Sequence, residues 1–452
     1  MTIKQFEDQG LAHFSYVVMS EGEMALIDPA RDPQPYYEYA MLHEARIVAV
    51  VETHLHADFV SSHLEICATK EAEIYTSQLT GAAYPHTPFD EGDFFRVGEL
   101  TLHALNTPGH SPDSLCVLVK DEAHKPWALF SGDTLFVGDV GRPDLREQAG
   151  SPGLSRESLA RDLYRSTRAK ILSLPDEVLV YPSHGAGTLC GRSLSKAHSS
   201  TIGAEKAGNQ ALQPMTEEAF VAFLLADQPF VPLYFPYDVA LNKHGAPILK
   251  DSLRQVPHLE PDCKIPASAL TVDTRPAAAF RQGHLAQAFN LPDDLKFETW
   301  LGAIIAPEER FYLVAGDAGS LKKVIAKTAK IGYETHIKGA VVHPQGQTAT
   351  SPQLDLAAFK HQPDAYTVVD IRNPEEVLAQ SFFTWSLHIP LPQLRRRAKE
   401  IPSHKPIVVH CSGGYRSAAG SSLLANLIKE QAVYDLGEAI QEFGPVEQDR
   451  AG

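Results

Sequence analysis

The chain of 452 residues is poor in the features that betray a partner or a location. It has only five cysteines, without dense or regular spacing. That excludes a disulfide framework, fits a reducing compartment, and makes a conspicuous cysteine chemical rather than structural. Basic residues are outnumbered, 40 Lys and Arg against 56 Asp and Glu, for a net charge of −16. A surface that acidic repels polynucleotides and anionic membranes, so neither nucleic acid nor a membrane is expected as a partner. No apolar run approaches the roughly 18 residues of a membrane span. The opening MTIKQFEDQG has neither a basic-then-apolar signal pattern nor an Arg/Ser-rich transit pattern, and the expected setting is cytoplasmic. The remainder is ordinary: 44% hydrophobic and 21% charged residues supply several cores, and the length suggests about three domains.

Through about residue 200, short apolar runs such as 46–51 (RIVAVV), 127–130 and 178–181 each end in a polar cluster, the pattern of buried strands feeding loops. Segments 158–172 and 216–226 carry apolar residues at helical spacing, and Thr216 opens the second as an N-cap. The region is therefore mixed α and β. Residues 229–266, rich in Pro, Asn and Gly, read as a surface connector that holds the first domain boundary. Beyond it lies an internal repeat. LTVDTR at 270–275 matches TVVDIR at 367–372, Asn290-Leu291-Pro292 answers His388-Ile389-Pro390, and 311–314 answers 407–410, at an offset of 96 to 98. A period near 100 is domain-sized, so two tandem copies of one small α/β domain are expected, joined through residues 345–352.

Four polar clusters follow buried runs. They are Thr53-His54-Leu55-His56-Ala57-Asp58-Phe59, Thr107-Pro108-Gly109-His110, Ser131-Gly132-Asp133-Thr134 and Pro182-Ser183-His184-Gly185. Imidazoles and carboxylates gathered at strand ends make a nitrogen- and oxygen-rich metal cage. In this order the four segments resemble the metallo-β-lactamase superfamily, over about residues 1 to 240. The resemblance implies an αββα sandwich and a metal-dependent activity. Its first motif, H-x-H-x-D-H, departs here at Phe59, which cannot bind a metal, so a two-metal hydrolase of the glyoxalase II type would lack a ligand. Within the superfamily the segments look most like persulfide dioxygenases. Carried over, that likeness implies one mononuclear, non-heme Fe(II) held by His54, His110 and Asp133. His56, Asp58 and His184 then become supporting groups that orient ligands or bound water. Arg142 is expected either to hold an anionic substrate or to pair with Asp144. Cys190 is expected either to relay sulfur or to pack under its loop.

The second repeat carries Val408-Val409-His410-Cys411-Ser412-Gly413-Gly414-Tyr415-Arg416-Ser417 before an Ala/Ser/Leu-rich helix. A Cys between a strand and a helix N-terminus meets backbone N–H groups, the helix dipole and Arg416, all favouring thiolate. The loop resembles the active loop of rhodanese sulfurtransferases, with Cys411 as nucleophile, Arg416 as anion-stabilising partner, Ser412, Gly413, Gly414, Tyr415 and Ser417 as the sulfur-binding loop, and Asp370 and Arg372 in the same pattern. The first copy has Ala315 where the nucleophile belongs and no arginine after it, which makes it catalytically silent. The basic run 394–399 reads as a solvated helix face.

Together these readings predict an α/β chain in three parts: a metallo-β-lactamase-like dioxygenase domain over 1–242, a silent rhodanese-like domain over 243–346 and an active one over 347–452. The expected function is oxidation of a low-molecular-weight thiol persulfide by O₂ to sulfite, coupled to sulfur transfer giving thiosulfate. A second copy of the chain is expected as a partner in a homo-oligomer. The competing expectations are a Zn-dependent thioester hydrolase with an appended sulfurtransferase, and a non-enzymatic sulfur carrier using Cys411 alone.

Overall fold

The computed structural model describes residues 1–146, 154–192, 194–226, 228–344 and 348–444. The chain divides into two compact units, one of Met1–Ser252 with Ala329–Gly332 and one of Leu253–Thr328 with the residues from Tyr333 onward.

The first unit holds two six-stranded sheets. One runs β1 (Thr2–Asp8), β2 (His13–Ser20), β3 (Glu23–Ile27), β4 (Arg46–Val51), β5 (Glu73–Thr76) and β6 (Thr87–Pro88), and the other is formed by β7 (Phe94–Val97), β8 (Leu100–Asn106), β9 (Leu115–Lys120), β10 (Pro126–Gly132), β11 (Leu179–Pro182) and β12 (Ser200–Thr201), again neighbours in chain order. Side chains alternate across a strand with period two, so a strand buried on both faces is apolar throughout. Phe14, Tyr16 and Val18 face the second sheet, where Phe95, Val97, Leu102, Val117 and Phe130 meet them. Val17, Leu26 and Val50 point the other way, onto Tyr36, Ala40 and Ile66 of outer helices. Leu118, Leu129 and Val180 likewise pack on Leu163 and Phe220 of the helices Arg156–Ser166 and Glu217–Leu225. Helices thus cover both outer faces of the sandwich, and Thr216 caps the second of them by accepting from the Ala219 N–H.

The segment expected as a connector is not one. Residues Phe235–His244 form a helix of the first unit with Tyr234 and Phe235 1% exposed, and the division between units falls at 252/253 rather than 242/243. Pro236 in the first helical turn is a compatible start, which the count of Pro and Asn alone had obscured.

The second unit contains two parallel sheets that repeat one strand order. The first places β16 (Ala288–Asn290), β14 (Thr271–Asp273), β17 (Phe311–Ala315) and β18 (Ile337–Val342) side by side, with β13 (His258–Leu259) as an added edge, and β15 (His284–Leu285) pairs separately with β19 (Thr348–Ala349). The second places β21 (Leu387–His388), β20 (Thr367–Asp370), β22 (Ile407–His410) and β23 (Val433–Asp435) in the same sequence. Each copy closes the same lock after its central strand: Arg275 bonds Asp273 through Nε at 2.9 Å and Nη2 at 2.5 Å, and Arg372 bonds Asp370 at 3.0 and 2.6 Å. Of the joint expected at 345–352, residues 345–347 lie outside the described residues. Among the described residues no helix is long and apolar enough to cross a membrane.

Candidate active sites

The first site forms where β4, β8, β10 and β11 end. One ligand atom each of His54, His110 and Asp133 lies within 4.8 Å of the others, and all three side chains are buried. His110 Nε2 is 3.5 Å and His54 Nε2 4.0 Å from Asp133 Oδ2. Burial holds both imidazoles below the usual histidine range, with the charges of His56 and Arg146 adding to it at His54. They therefore present neutral lone pairs.

The tautomer of His54 is set by its neighbours. The Thr53 hydroxyl donates to Asp28 Oδ2 at 2.8 Å, so its oxygen accepts from His54 Nδ1 at 3.0 Å and Nε2 keeps its lone pair for the site. Asp28 also accepts from the Thr53 N–H (2.7 Å) and the Ser183 hydroxyl (2.7 Å), and pairs with His56 Nε2 at 3.1 Å. Burial alone would raise the Asp28 carboxyl, but His56 and these donors hold it below its ordinary value. Burial likewise disfavours charge on His56, yet Asp28 and Glu52 overcome it and push its pKa up to about 9, while burial lifts Glu52 to about 8. Close approach demands glycine at 132, where φ is +51° and a Cβ would stand 2.7 Å from Thr53 Oγ1.

His56, Asp58 and His184 form a second ligand-capable group, and Asp133, His184 and Cys190 a third that shares one residue with each of the first two. His184 Nε2 stands 3.5 Å from both Asp58 Oδ2 and Asp133 Oδ1. Phe59, 1% exposed, fills the position where the superfamily motif has histidine, its ring centroid 4.4 Å from that of His56 and 3.9 Å from that of His13. Burial and the nearby Asp58 and Asp133 raise the Cys190 thiol well above its usual value, so it is a poor thiolate as the site stands. Arg142 is 1% exposed and bonds Asp144 twice at 2.7 Å and the Leu189 carbonyl at 3.1 Å. Of its two expected roles, the pairing with Asp144 is the one the geometry has.

The donor set fits a metal ion. Neither Asp133 oxygen receives an N–H or O–H hydrogen bond from the described residues, and His184 Nε2 and Asp58 Oδ1 are equally without one. A buried carboxylate left bare beside neutral imidazole lone pairs is strongly unfavourable, and a cation among them removes the penalty.

Several supports of this site went unread in the sequence. Asn242 donates to the His56 and Phe59 carbonyls at 2.9 and 2.8 Å and accepts from the Ser61 N–H at 2.9 Å. Asp113 accepts from the Leu55 N–H, and Arg146 bonds both Asp113 (2.9 Å) and the Leu55 carbonyl (3.2 Å). The turn between His54 and His56 is thus clamped on both of its central backbone groups. Asp28 had a faint signal, a carboxylate just after an apolar run; Asn242 and Asp113 had none.

In the second unit the strand β22 delivers Cys411, 1% exposed, to the start of the helix Tyr415–Leu427. The Gly414 N–H donates to Cys411 Sγ at 3.2 Å, and its φ of +95° with Gly437 and Glu438 backbone about 3.0 Å from a would-be Cβ requires glycine. Ser417 donates to the Gly414 carbonyl, and the Tyr415 hydroxyl to the Pro292 carbonyl. Arg416, expected as the anion-stabilising partner, is itself paired: Nη1 and Nη2 bond Glu376 at 2.5 and 2.6 Å, Nη2 reaches the Ser412 hydroxyl at 2.9 Å, and the guanidinium lies 5.5 Å over the Trp300 ring. Ser412 itself donates to Glu376 at 2.7 Å. Burial works against the Glu376 carboxylate, but Arg416 and Ser412 bring its pKa down to about 2. Glu376 also went unread; its one signal, a capping-box Glu after Asn373-Pro374, pointed to a helix start rather than to a site.

The corresponding loop of the first copy is filled by its own chain. Asp317 accepts from the Ser320 N–H at 2.8 Å and hydroxyl at 2.6 Å, and Ala315 stands where Cys411 stands in the other copy. The basic run is not simply solvated either, since Arg395 bonds Glu309 twice at 2.7 Å.

The family model for the metallo-beta-lactamase superfamily matches residues 8–184, and that for the rhodanese-like domain matches 354–444. A crystal structure of a metallo-beta-lactamase from Staphylococcus aureus subsp. aureus COL is 32% identical, with a TM-score of 0.68, over 76% of this chain and 99% of that one. The chain belongs to the metallo-beta-lactamase superfamily. It carries a rhodanese-like domain in addition, and the two together make it a fusion. Among relatives of this superfamily member, the mitochondrial persulfide dioxygenase ETHE1 of Homo sapiens is 30% identical over 168 residues, 36% of this chain and 59% of that protein. A hydroxyacylglutathione hydrolase of Francisella tularensis subsp. novicida (strain U112) is 26% identical over 186 residues, 41% of this chain and 68% of that protein.

Proposed function

We propose that the protein oxidises a low-molecular-weight thiol persulfide with O₂ and hands sulfur to the resulting sulfite. The first reaction is R–S–S⁻ + O₂ + H₂O → R–SH + SO₃²⁻ + H⁺. The observation that carries this reading is the set His54, His110 and Asp133 beside Phe59: two neutral imidazoles and one carboxylate, with the next ligand position closed by an aromatic ring. Such a set suits mononuclear ferrous iron, which when bound would supply open positions and redox chemistry for the persulfide sulfur and O₂. The chain's own groups do the rest. Asp28 and Thr53 hold His54 in its ligating tautomer, Asn242, Asp113 and Arg146 keep the turn that bears it in place, and the packed rings of Phe59 and His13 keep water from one wall. His184 and Asp58 offer hydrogen bonds to the thiol as it departs. The relationship to persulfide dioxygenases supports the same reading.

The second reaction uses Cys411. A persulfide charges it, R–S–S⁻ + Cys411–SH → R–SH + Cys411–S–S⁻, and sulfite then takes the outer sulfur, Cys411–S–S⁻ + SO₃²⁻ → Cys411–S⁻ + S₂O₃²⁻. The Gly414 N–H steadies the sulfur anion, and Glu376 fixes Arg416 and Ser412 as a rigid wall of the loop. The first copy, with Ala315 and a carboxylate already in its loop, takes no part in transfer. Five free thiols suit a reducing setting such as the cytoplasm.

A thioester hydrolase is the second reading. It is favoured by the group of His56, Asp58 and His184, which could hold a second ion, and by the hydroxyacylglutathione hydrolase relative. O₂ uptake by anaerobically purified, Fe(II)-loaded protein on adding glutathione persulfide, with sulfite and thiosulfate measured in the same sample, separates the two. Uptake abolished by Asp133→Ala, at one iron per chain, is the expected result. Two ions per chain with cleavage of an acylated thiol and no O₂ uptake would establish the hydrolase instead.

A further inference from the structure

We propose that the four residues Ala329–Gly332, which lie in the sequence of the first repeat but belong to the first compact unit, are a strap that positions the turns around the first site, with Lys330 as the positioning residue. The proposal rests on the persulfide-oxidation reading of that site. The strap closes on itself through the Gly332 N–H and the Ala329 carbonyl at 3.1 Å. Gly332 has a φ of +66°, and a Cβ there would stand 2.6 Å from Leu241 Cδ2, 3.1 Å from Tyr237 Cε1 and 3.2 Å from Val60 Cγ2. Only glycine lets the strap lie this close to the helix Phe235–His244, whose Tyr237 hydroxyl donates to the Gly332 carbonyl at 3.2 Å.

Lys330 grips two turns with two different groups. Its backbone carbonyl accepts from the Val60 N–H at 2.8 Å, directly after Asp58 and Phe59. Its ammonium bonds both oxygens of Asp8, at 2.8 and 2.7 Å, in a pair only 27% and 16% exposed. Asp8 in turn accepts from the Gly10 and Leu11 N–H groups at 3.1 and 3.4 Å and so shapes the turn that ends at Ala12. The Ala12 carbonyl accepts from the Gly185 N–H at 2.9 Å and faces His184 Nδ1 at 3.2 Å. A carbonyl can only accept, so Nδ1 carries the proton and His184 Nε2 turns a lone pair toward Asp58 and Asp133, 3.5 Å from each. The strap thus ties the stretch that carries Asp58 to the turn that orients His184, and sets the gap between the two groups proposed to meet the departing thiol. His54, His110 and Asp133 are held by neither contact. Loosening the strap therefore disturbs the geometry offered to substrate before it disturbs metal binding.

The test compares Lys330→Met and Lys330→Arg in the full-length protein. Met keeps the length of the side chain and the backbone carbonyl but loses the Asp8 pair, whereas Arg retains a cation to face it. In metal-free Lys330→Met, deuterium exchange of peptides spanning 8–13 and 57–62 is expected to quicken several-fold, and in Lys330→Arg to match the wild type. Loaded with Fe(II), Lys330→Met is expected to hold as much iron as the wild type and to keep its KM for glutathione persulfide within about twofold, while kcat for O₂ uptake falls about tenfold and Arg restores it. Gly332→Ala, which pushes the strap off Val60, is expected to quicken exchange over 57–62 and to lower kcat in the same way. Exchange and kcat both unaltered in Lys330→Met, iron lost in proportion to kcat, or no rescue by Arg would overturn the proposal. A wild type that takes up no O₂ with persulfide would overturn the oxidation reading beneath it, and the exchange rates alone would then decide whether the strap holds these turns.

Discussion

Replacing Asp28 by Asn probes the network behind the first site more cleanly than any change to a ligand. Asp28 sits at φ 49°, a left-handed conformation that Asn also tolerates, so the substitution removes charge and one acceptor but not backbone preference. The wild-type carboxylate is buried, accepts three hydrogen bonds of 2.7 to 2.8 Å and faces His56 Nε2 at 3.1 Å. Removing one partner of a buried charge pair costs about 3–5 kcal/mol, because the other is left uncompensated. For a unit of this size each kcal/mol is worth about 2–4 °C, so the first unit's melting transition should drop by about 6–20 °C. Differential scanning calorimetry on metal-free protein reads this without contribution from bound ions. A second consequence follows from the hydrogen-bond direction. With an amide N–H facing it, the Thr53 hydroxyl is released from donating to residue 28 and can donate to His54 Nδ1, which moves the imidazole proton to Nε2 and removes the ligating lone pair. Iron affinity in competition with a chelator should weaken about 10–100-fold. A melting shift below 3 °C together with unaltered iron affinity would refute both the pairing of Asp28 with His56 and the tautomer argument.

Asn242→Ala, which strips three hydrogen bonds from the turn at 56–61, should lower iron affinity about tenfold while the purified protein still folds, as judged by circular dichroism. Gly132→Ala forces a Cβ within 2.7 Å of Thr53 Oγ1 at positive φ and should destabilise the first unit by about 1–3 kcal/mol, read as a lower melting temperature. Glu376→Gln should cost about 1–2 kcal/mol at pH 7, a figure reduced for solvent screening because the side chain is 34% exposed. The Glu376 pKa is depressed to about 2, so its contribution is complete above about pH 4.5 and lost as pH falls toward 2, and the gap between variant and wild type in denaturant titrations should close over that window. Cys411→Ser should consume O₂ with persulfide as before but accumulate sulfite; unchanged thiosulfate output would sink the two-step scheme.

The sandwich and the repeat were legible because both rest on local patterns. Runs such as 46–51 are apolar throughout because the strand is buried on both faces, and the LTVDTR and TVVDIR segments recur because each ends in the same Asp–Arg lock. The clustering of His54, His110 and Asp133 was legible because residue types able to bind a metal are few and these fall at strand ends. The groups that hold them were not. Asn242 acts on a turn 181 to 186 residues away through an amide that in sequence looks like loop composition. Glu376 reads as a helix cap and is one, and only the packing 40 residues on makes it the partner of Arg416. Arg142 shows the converse, a residue whose type suggested a substrate contact and whose nearest carboxylate, two positions away, claimed it first.

The helix Phe235–His244 bears on how the first site comes into being during synthesis. Every expected iron ligand has left the ribosome once His110 and Asp133 have, and the family match itself stops at 184. Yet the carbonyls of His56 and Phe59 gain their amide partner only when residue 242 emerges, and Tyr234 reaches the Asp58 carbonyl at 3.3 Å from the same stretch. A nascent chain halted at 190 would therefore own all three donors without the clamp that aims them. The smallest piece worth expressing as an independent first unit ends past that helix, not at the last recognisable motif.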